Sequence, residues 1–403
     1  MMSGSMTTKR YALSALTAAA LLLLWGCNAV SHKANQSPSA MHGHANGASE
    51  ASPAGEQTMA VDLRNAYGLD TIIPALSEAR VVFVGEQHDN YGHHLAQLEI
   101  IQRLHQIDPS IAIGMEMFQK PFQVHLDDFL AGVITEEEML RRTEWYDRWR
   151  FDYRLYQPIL SFAKQNGIPV IALNMQREIT EKVSRLGIDG LSDEDKALIP
   201  AQIDKSDKAY EGRLDEIFKL HPNVEKKSFS HFIDSQLIWD ETMAERAADY
   251  LQANPKHRLV VLAGSGHLMF GSGIPNRVVR RVPVNRAIVL PGDAQQVKPD
   301  VADFLIYPPG AELPKAGLMG LMMDPTDEGV KVAEVLAGKG AADAGLEKGD
   351  LIKAIDQQAI KTATDVRIHM QNKKPGDKVK VSVLRKKLLF AEKQLDFEIQ
   401  LSD

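Results

Sequence analysis

The stretch VVFVGEQHDN at positions 81–90 decides the fold. Four consecutive apolar residues, Val81 to Val84, predict a short strand that is buried on both faces, as strands of parallel sheets are. Polar residues follow at once, and apolar residues then recur every three positions from Leu95 to Leu104. That spacing indicates a helix. A buried strand, a polar turn and a helix together form the repeating unit of α/β proteins.

The same pattern recurs along most of the chain. Further apolar runs predict strands at 111–115, 169–173, 259–263, 287–290 and 304–307. Helices are expected around 156–165 and 232–251, with a more polar helical insertion over 188–225. The fold class is therefore α/β: a mostly parallel sheet with helices on both faces and a helical insertion, followed by a small β-rich domain.

Composition divides the chain into five segments. Residues 1–27 have the form of a lipoprotein signal peptide, and residues 28–60 are a flexible tether poor in large apolar side chains. Residues 61–307 form the α/β domain, 308–315 a Pro-rich linker and 316–403 the small domain.

The N-terminal segment predicts a membrane attachment by lipid. Lys9 and Arg10 precede an apolar run that ends at Trp25, too short for a comfortable membrane span, and Cys27 follows. We expect lipid on Cys27 and a location in the cell envelope. Asn28 favours the outer membrane, with the protein facing the periplasm. The alternative is an uncleaved signal anchor in which Cys27 is incidental.

The overall balance of charge and the cysteine count exclude several classes. The net charge of −7 argues against a nucleic-acid partner, because such proteins usually carry a basic surface. Cys27 is the one cysteine in the sequence, so intramolecular disulfides and cysteine-rich metal sites are excluded.

Charged and imidazole side chains follow the predicted strands. Glu86 and His88 follow the first strand, Glu116 the second, Arg177 the third and His267 the fourth. The carboxyl ends of parallel strands meet at one edge of the sheet, where ligands of such folds bind. We therefore predict that these residues share one rim, with Arg177 near enough to pair with a carboxylate.

These motifs resemble the ChaN-like family of haem-binding lipoproteins, within the haem-binding-uptake and Tiki/TraB group. The resemblance rests on Gly85-Glu86-x-His88-Asp89-Asn90, on Glu116-Met117-Phe118 and on Ala263-Gly264-x-Gly266-His267. It implies a role in haem or iron uptake, with haem bound at the interface of a homodimer. Related branches of the group are metal-dependent hydrolases that use the same Glu and His positions.

Both ligands are compatible with the residues themselves. Haem iron accepts His or Tyr, and its propionates need Arg, His or backbone donors. A divalent metal would instead use His88 and His267 with Glu86 or Glu116. The full set of candidate rim residues comprises Glu86, His88, Asp89, His93, His94, Glu116, Tyr153, Tyr156, Arg177 and His267.

The C-terminal segment resembles a PDZ domain. Leu318, Met319, Gly320 and Leu321 stand where that family has its carboxylate-binding loop, and Gly345-Leu346-x-x-Gly349-Asp350 resembles its bacterial members. The resemblance implies a groove that binds a peptide or a protein C-terminus as an added strand. The alternative is a module that folds against its own α/β domain and binds no peptide.

Overall fold

A six-stranded parallel sheet organises the larger domain, in the order β3-β2-β4-β1-β5-β6. The computed structural model describes residues 65–219, 227–292, 297–298, 300–386 and 392–403. The signal peptide, Cys27 and the tether lie outside these residues. The strands are β1 (Val81–Glu86), β2 (Ile111–Gln119), β3 (Val170–Asn174), β4 (Arg258–Gly264), β5 (Arg286–Pro291) and β6 (Phe304–Ile306).

Helices cover both faces of this sheet because its strands are apolar on both. Val82 and Val84 of β1 belong to one buried cluster, and Val81 and Phe83 to another. The helices are α1 (Ile73–Glu78), α2 (Tyr91–Ile107), α3 (Gln123–Leu130), α4 (Glu136–Arg142), α5 (Trp145–Arg148), α6 (Gln157–Asn166), α7 (Arg177–Leu186), α8 (Asp193–Lys196), α9 (Lys208–Lys219), α10 (Lys227–Ala253) and α11 (Ile274–Arg281). The predicted α/β class is confirmed.

The second strand is longer than its apolar run suggested. β2 continues through Glu116 to Gln119, and Met117 and Phe118 are buried within it. The register with β3 shifts between Met115 and Gln119. Glu116 is therefore a strand residue in a local irregularity of the sheet, not a residue of the loop that follows.

The small domain is an antiparallel sheet in the order β12-β11-β9-β8-β7, with β10 paired to β9. Its strands are β7 (Leu321–Thr326), β8 (Gly329–Val335), β9 (Leu351–Ile355), β10 (Gln358–Ala359), β11 (Lys378–Arg385) and β12 (Lys393–Gln400). Two helices, α12 (Gly340–Ala344) and α13 (Ala363–Met370), complete it. A buried cluster of its own, which includes Val330, Ile352 and Val381, forms the core.

The two domains touch each other. Ile368 of α13 is 1% exposed and belongs to the buried cluster of the α/β domain. The linker also lies on the α/β domain: Arg154 donates to the Pro314 carbonyl at 2.8 Å, and Leu313 packs on the core. Among the described residues, no helix has the length and apolarity needed to cross a membrane.

Candidate functional site

Three neighbouring strands bring the predicted rim together. Glu86 is the last residue of β1, Glu116 lies near the end of β2, and Gly264 ends β4 between them. His88 follows β1 by two residues, and His267 lies in a short 3-10 turn (Ser265–His267) after β4. Four of the predicted residues thus meet at the carboxyl edge of the sheet because parallel strands end there together.

Glu86 is the centre of the first half of the site. Its carboxylate is 2% exposed and contacts His88 Nδ1, while His94 Nδ1 lies 2.7 Å away and the Tyr156 hydroxyl donates to it at 3.1 Å. Burial opposes ionisation, but the two imidazoles outweigh it and hold the pKa of Glu86 well below its ordinary value. Glu86 is therefore an ionised carboxylate inside the protein.

His94 supplies the charge that balances Glu86. Its Nδ1 faces Glu86 and the Gln97 amide oxygen, and its Nε2 faces the His88 carbonyl oxygen at 3.2 Å. Gln97 donates its amide to the Val84 carbonyl, which fixes its oxygen toward His94. Both ring nitrogens thus meet only acceptors, so the ring is an imidazolium. Burial lowers the pKa of His94, but the opposing effect of Glu86 is stronger, so the pKa is raised above its ordinary value.

His88 presents a free nitrogen. Its Nδ1 is held by Glu86, whereas Nε2 is buried and makes no hydrogen bond. Trp149 packs edge-on against the ring at 4.7 Å, and Phe151 lies at 5.3 Å. Burial lowers the pKa of His88, but Glu86 and Glu116 outweigh that effect and raise it. A carboxylate on Nδ1 is the partner that orients a histidine for ligation through Nε2.

His267 and Glu116 form the second half of the site. His267 Nδ1 lies 2.6 Å from Asp240 Oδ1, and its Nε2 lies 3.5 Å from Glu116 Oε1. Burial alone would lower the pKa of His267, but Glu116 and Asp240 raise it to about 9. At neutral pH the ring is therefore a cation, suited to an anionic ligand group.

The two halves meet at Gly264. Its amide donates to Glu116 Oε2 at 2.7 Å. A Cβ placed on Gly264 would lie 3.0 Å from His88 Cε1 and 3.7 Å from Glu116 Oε2. The His88 ring and the Glu116 carboxylate therefore both lie close to the side-chain position of this glycine, and a larger residue there would press on the His88 ring.

Two predicted residues lie at the outer edge of the site. Asp89 is exposed and lies in the turn before α2. Asn90 caps the N-terminus of that helix. His93 is half-buried, and its Nδ1 accepts from the Gln87 amide at 3.0 Å. Burial and the charge of His94 lower the pKa of His93 to about 4, so this ring is neutral with its proton on Nε2.

Tyr156 and Tyr153 are both fully buried and have internal partners. The Tyr156 hydroxyl reaches Glu86, and the Tyr153 hydroxyl donates to Glu136 at 3.1 Å. Both rings face Trp145, at 5.5 and 5.4 Å. Tyr153 therefore lies outside the cluster, and Tyr156 supports it from within.

The prediction that Arg177 pairs with a carboxylate of the rim is wrong. Its Nε lies 2.6 Å from Glu181 Oε1, and it donates to the Asp147 carbonyl at 3.1 Å. The residue begins α7, where a glutamate four positions later is the nearest acceptor along the helix. Helix geometry therefore directs the guanidinium toward α5.

Two residues of the site lie on helices and were therefore not among those predicted from the strand ends. Asp240 of α10 orients His267, and its other oxygen accepts from the Tyr210 hydroxyl at 2.6 Å. A charged residue between Ile238 and Met243, both fully buried, was the available signal for Asp240. Tyr210 gave no comparable signal.

The four residues named for the alternative metal site pair with neighbouring groups. Within the described ranges, no three or more His, Cys, Asp or Glu side chains are grouped so as to hold a metal ion. Glu86 is occupied by two imidazoles and a hydroxyl, and Glu116 by a backbone amide and His267. The four proposed ligands are near neighbours but bind one another.

The loop proposed to bind carboxylates lies before the edge strand of the small sheet. Gly320 has φ +78°, and a Cβ there would collide with Lys339, so only glycine fits. Leu318 is bridged to Ser402, Met319 is buried and Leu321 begins β7. In the described sheet, β7 pairs only with β8, which leaves one edge open for an added strand.

The fold and the site together define a two-domain protein with an α/β domain and a PDZ domain. The strand ends of the α/β domain carry a Glu–His cluster, formed by Glu86, His88, His94, Glu116 and His267. The family model described as haem-binding uptake, Tiki superfamily, ChaN matches residues 72–278, and a PDZ domain model matches residues 317–401. The chain belongs to the ChaN haem-binding-uptake family and carries a C-terminal PDZ domain.

Two curated relatives resemble parts of the chain. Protein RETICULATA-RELATED 5, chloroplastic, of Arabidopsis thaliana is 24% identical over 261 residues, which is 58% of this chain and 34% of that protein. The periplasmic pH-dependent serine endoprotease DegQ of Escherichia coli is 27% identical over 126 residues, or 31% of this chain and 26% of that protein. The chain thus spans about a third and a quarter of their lengths.

Solved structures resemble each domain in turn. The structure described as cofacial heme binding to ChaN of Campylobacter jejuni is 20% identical, covers 60% of this chain and 92% of that chain, and has a TM-score of 0.49. The PDZ domain of the carboxy-terminal protease from Vibrio cholerae, in complex with a peptide, is 22% identical and covers 22% of this chain and 94% of that one, with a TM-score of 0.19.

Proposed function

We propose that this protein is a membrane-anchored haem-binding lipoprotein that takes part in haem or iron uptake, with a PDZ module that binds peptides. The family membership of residues 72–278 supports the haem ligand. The observation that carries the proposal is the buried Nε2 of His88, which has no hydrogen-bond partner while Nδ1 is held by Glu86.

The residues of the site fit haem in the following roles. His88 is the candidate iron ligand through Nε2, because Glu86 orients its ring. The imidazolium of His267 and the Nε2 proton of His93 are the candidate donors for propionate oxygens. Haem would supply the iron and a flat apolar surface. Trp149 and Phe151 are apolar side chains that pack on the His88 ring.

Location and assembly belong to the same proposal. The signal-like segment ending at Cys27 supports a lipid anchor in the cell envelope, with the protein facing the periplasm at the outer membrane. We also propose a homodimer, following the family resemblance. The open edge of β7 supports a peptide or protein C-terminus as the partner of the PDZ domain.

A titration with haemin tests the haem proposal against its rival. Haemin added to the purified protein should show a shifted Soret band, and the shift should saturate at a fixed ratio of haemin to protein. In parallel calorimetric titrations, Zn²⁺ and Mn²⁺ should give no saturable binding. Tight binding of either cation would favour the metal-dependent hydrolase instead, if the absorbance spectrum of haemin with the protein also matches that of haemin in buffer alone.

A further inference from the structure

The PDZ helix α13 is the element by which the small domain contacts the α/β domain. Ile368 forms the buried apolar centre of this contact, in the cluster that also contains Met139 and Leu140 of α4. Polar contacts surround it: Arg141 pairs with Asp365, Thr364 Oγ1 lies 3.0 Å from Asp147, and the Tyr146 hydroxyl donates to Gln371 at 3.2 Å.

The same helix has a second role within its own domain. Val366 belongs to the buried core of the small domain, and Met370 packs against that core. The match to the PDZ family implies that α13 flanks the peptide groove, opposite the open edge of β7. A peptide added to β7 would therefore touch α13, whose other face is fixed on α4 and α5.

From the contact with α13, a short series of packed side chains leads to the Glu–His cluster. Gln371 donates to Glu136 at 3.2 Å, and Glu136 accepts from Tyr153 at 3.1 Å. Trp145 packs on Tyr153 and on Tyr156, whose hydroxyl reaches Glu86.

Helix α5 provides a second and shorter connection. Tyr146 faces Gln371 of the PDZ domain. Trp145 precedes it, and Trp149, directly after the helix, packs on the His88 ring at 4.7 Å. Tyr146 and Asp147 of this short helix thus contact the PDZ domain, whereas Trp145 and the adjacent Trp149 contact the site.

We propose that this interface couples the PDZ groove to the Glu–His cluster: occupation of the groove changes the packing of Trp145, Trp149 and Tyr156 around Glu86 and His88, and so changes the affinity of that site for its ligand. The inference rests on peptide binding by the PDZ domain, as proposed above.

The physical reason is that α13 is shared. A peptide makes contacts with α13 that the free domain lacks, so it favours whichever position of the helix improves those contacts. Packed interfaces adopt discrete arrangements and do not deform freely, so a shift of α13 is passed to α4 and α5. By linkage, a ligand at Glu86 and His88 must change peptide affinity by the same factor.

The first experiment uses the whole protein and a panel of synthetic decapeptides with free C-terminal carboxylates, varied at the last three residues. The C-terminal amide of each peptide is the matched control. A binding peptide should change hydrogen exchange in residues 141–156 and alter the haemin dissociation constant by about fivefold or more. Haemin should alter peptide affinity by the same factor, and the amide should do neither.

Three outcomes are kept apart by this design. If a peptide binds but leaves exchange in 141–156 and haemin affinity unchanged, the coupling is overturned while peptide binding stands. If haemin does not bind, the haem proposal fails, and the exchange measurement still decides the coupling. If no peptide of the panel binds, the proposed role of the groove fails, and the interface variants decide.

The interface variants are Ile368→Ala and the milder Arg141→Met, whose side chain is 45% exposed. Val381→Ala, which removes bulk from the PDZ core away from the interface, is the control. Both interface variants should raise exchange in residues 145–156, and the control should not. Equal exchange in all three variants would overturn the coupling, because it would mean that α13 does not influence α5.

Discussion

Three histidines in this site differ in the partners of their ring nitrogens. His94 donates through both nitrogens and is a buried cation that compensates Glu86. His267 lies between two carboxylates and is also cationic at neutral pH. His88 shares Glu86 with His94 and keeps Nε2 without a hydrogen-bond partner. The sequence shows three identical side chains, and only their neighbours assign them different chemistry.

His267 gives a pH-dependent contribution to stability. Its pKa is raised from 6.5 to about 9 in the folded protein, so its stabilisation is fully present below pH 6.5 and is lost as the pH rises through 9. Between pH 6 and pH 10 the wild type should therefore lose about 2–3 kcal/mol more than His267→Gln in the free energy of unfolding. Urea unfolding of both proteins across this range measures the difference, and parallel curves would contradict the assignment.

The end of strand β4 limits the space beside the His88 ring. Gly264 has an extended backbone that alanine can adopt, but its Cβ would lie 3.0 Å from the His88 ring. Gly266, in the next turn, has nothing within 4 Å of its Cβ position. The two glycines therefore form a matched pair.

Gly264→Ala should lower haemin affinity by about tenfold, because the methyl group displaces the His88 ring. It should destabilise the protein by about 1–3 kcal/mol through overpacking. Gly266→Ala should change neither. Haemin titration and thermal unfolding of both variants provide the test. Equal haemin affinities in the two variants would show that His88 does not line the ligand site.

The strands were predictable because a parallel strand is a continuous apolar run, and the meeting of Glu86, Glu116 and His267 followed from their positions after such runs. The partners of these residues were less predictable. Asp240 reaches His267 from a long helix packed across the sheet, and that packing depends on distant residues. Arg177 turned to Glu181 because a local helix contact competed with the rim.

In the whole molecule, the contact between the domains was one of two alternatives that the sequence left open, and the residues that form it could not be predicted. The Pro-rich linker predicts two units that each stay folded when the chain is cleaved between them, but Ile368 lies in the core of the α/β domain and Leu313 packs against that core. Both residues are ordinary apolar side chains of their own segments. Nothing local distinguishes an apolar residue that packs within its domain from one that packs on a neighbour. Separability after cleavage in 308–315 stays a prediction.

Membrane attachment is predicted to depend on Cys27. Cys27→Ser should leave the two domains folded and release the protein from washed membranes, because the lipid is the expected attachment. Asn28→Ser is the matched control and should remain membrane-bound. Fractionation and immunoblotting measure the distribution. Equal retention of both variants would favour an uncleaved signal anchor.

We propose that His88 is the ligand through which the protein binds haem. Haemin titrations of His88→Ala and of His105→Ala, a half-buried histidine of α2 that packs on Phe162, test it most directly. We expect His88→Ala to lose about 1.5–3 kcal/mol of binding free energy, roughly a 10- to 100-fold loss of affinity, with a changed Soret band. His105→Ala should match the wild type. Wild-type affinity and an unchanged Soret band in His88→Ala would contradict the claim.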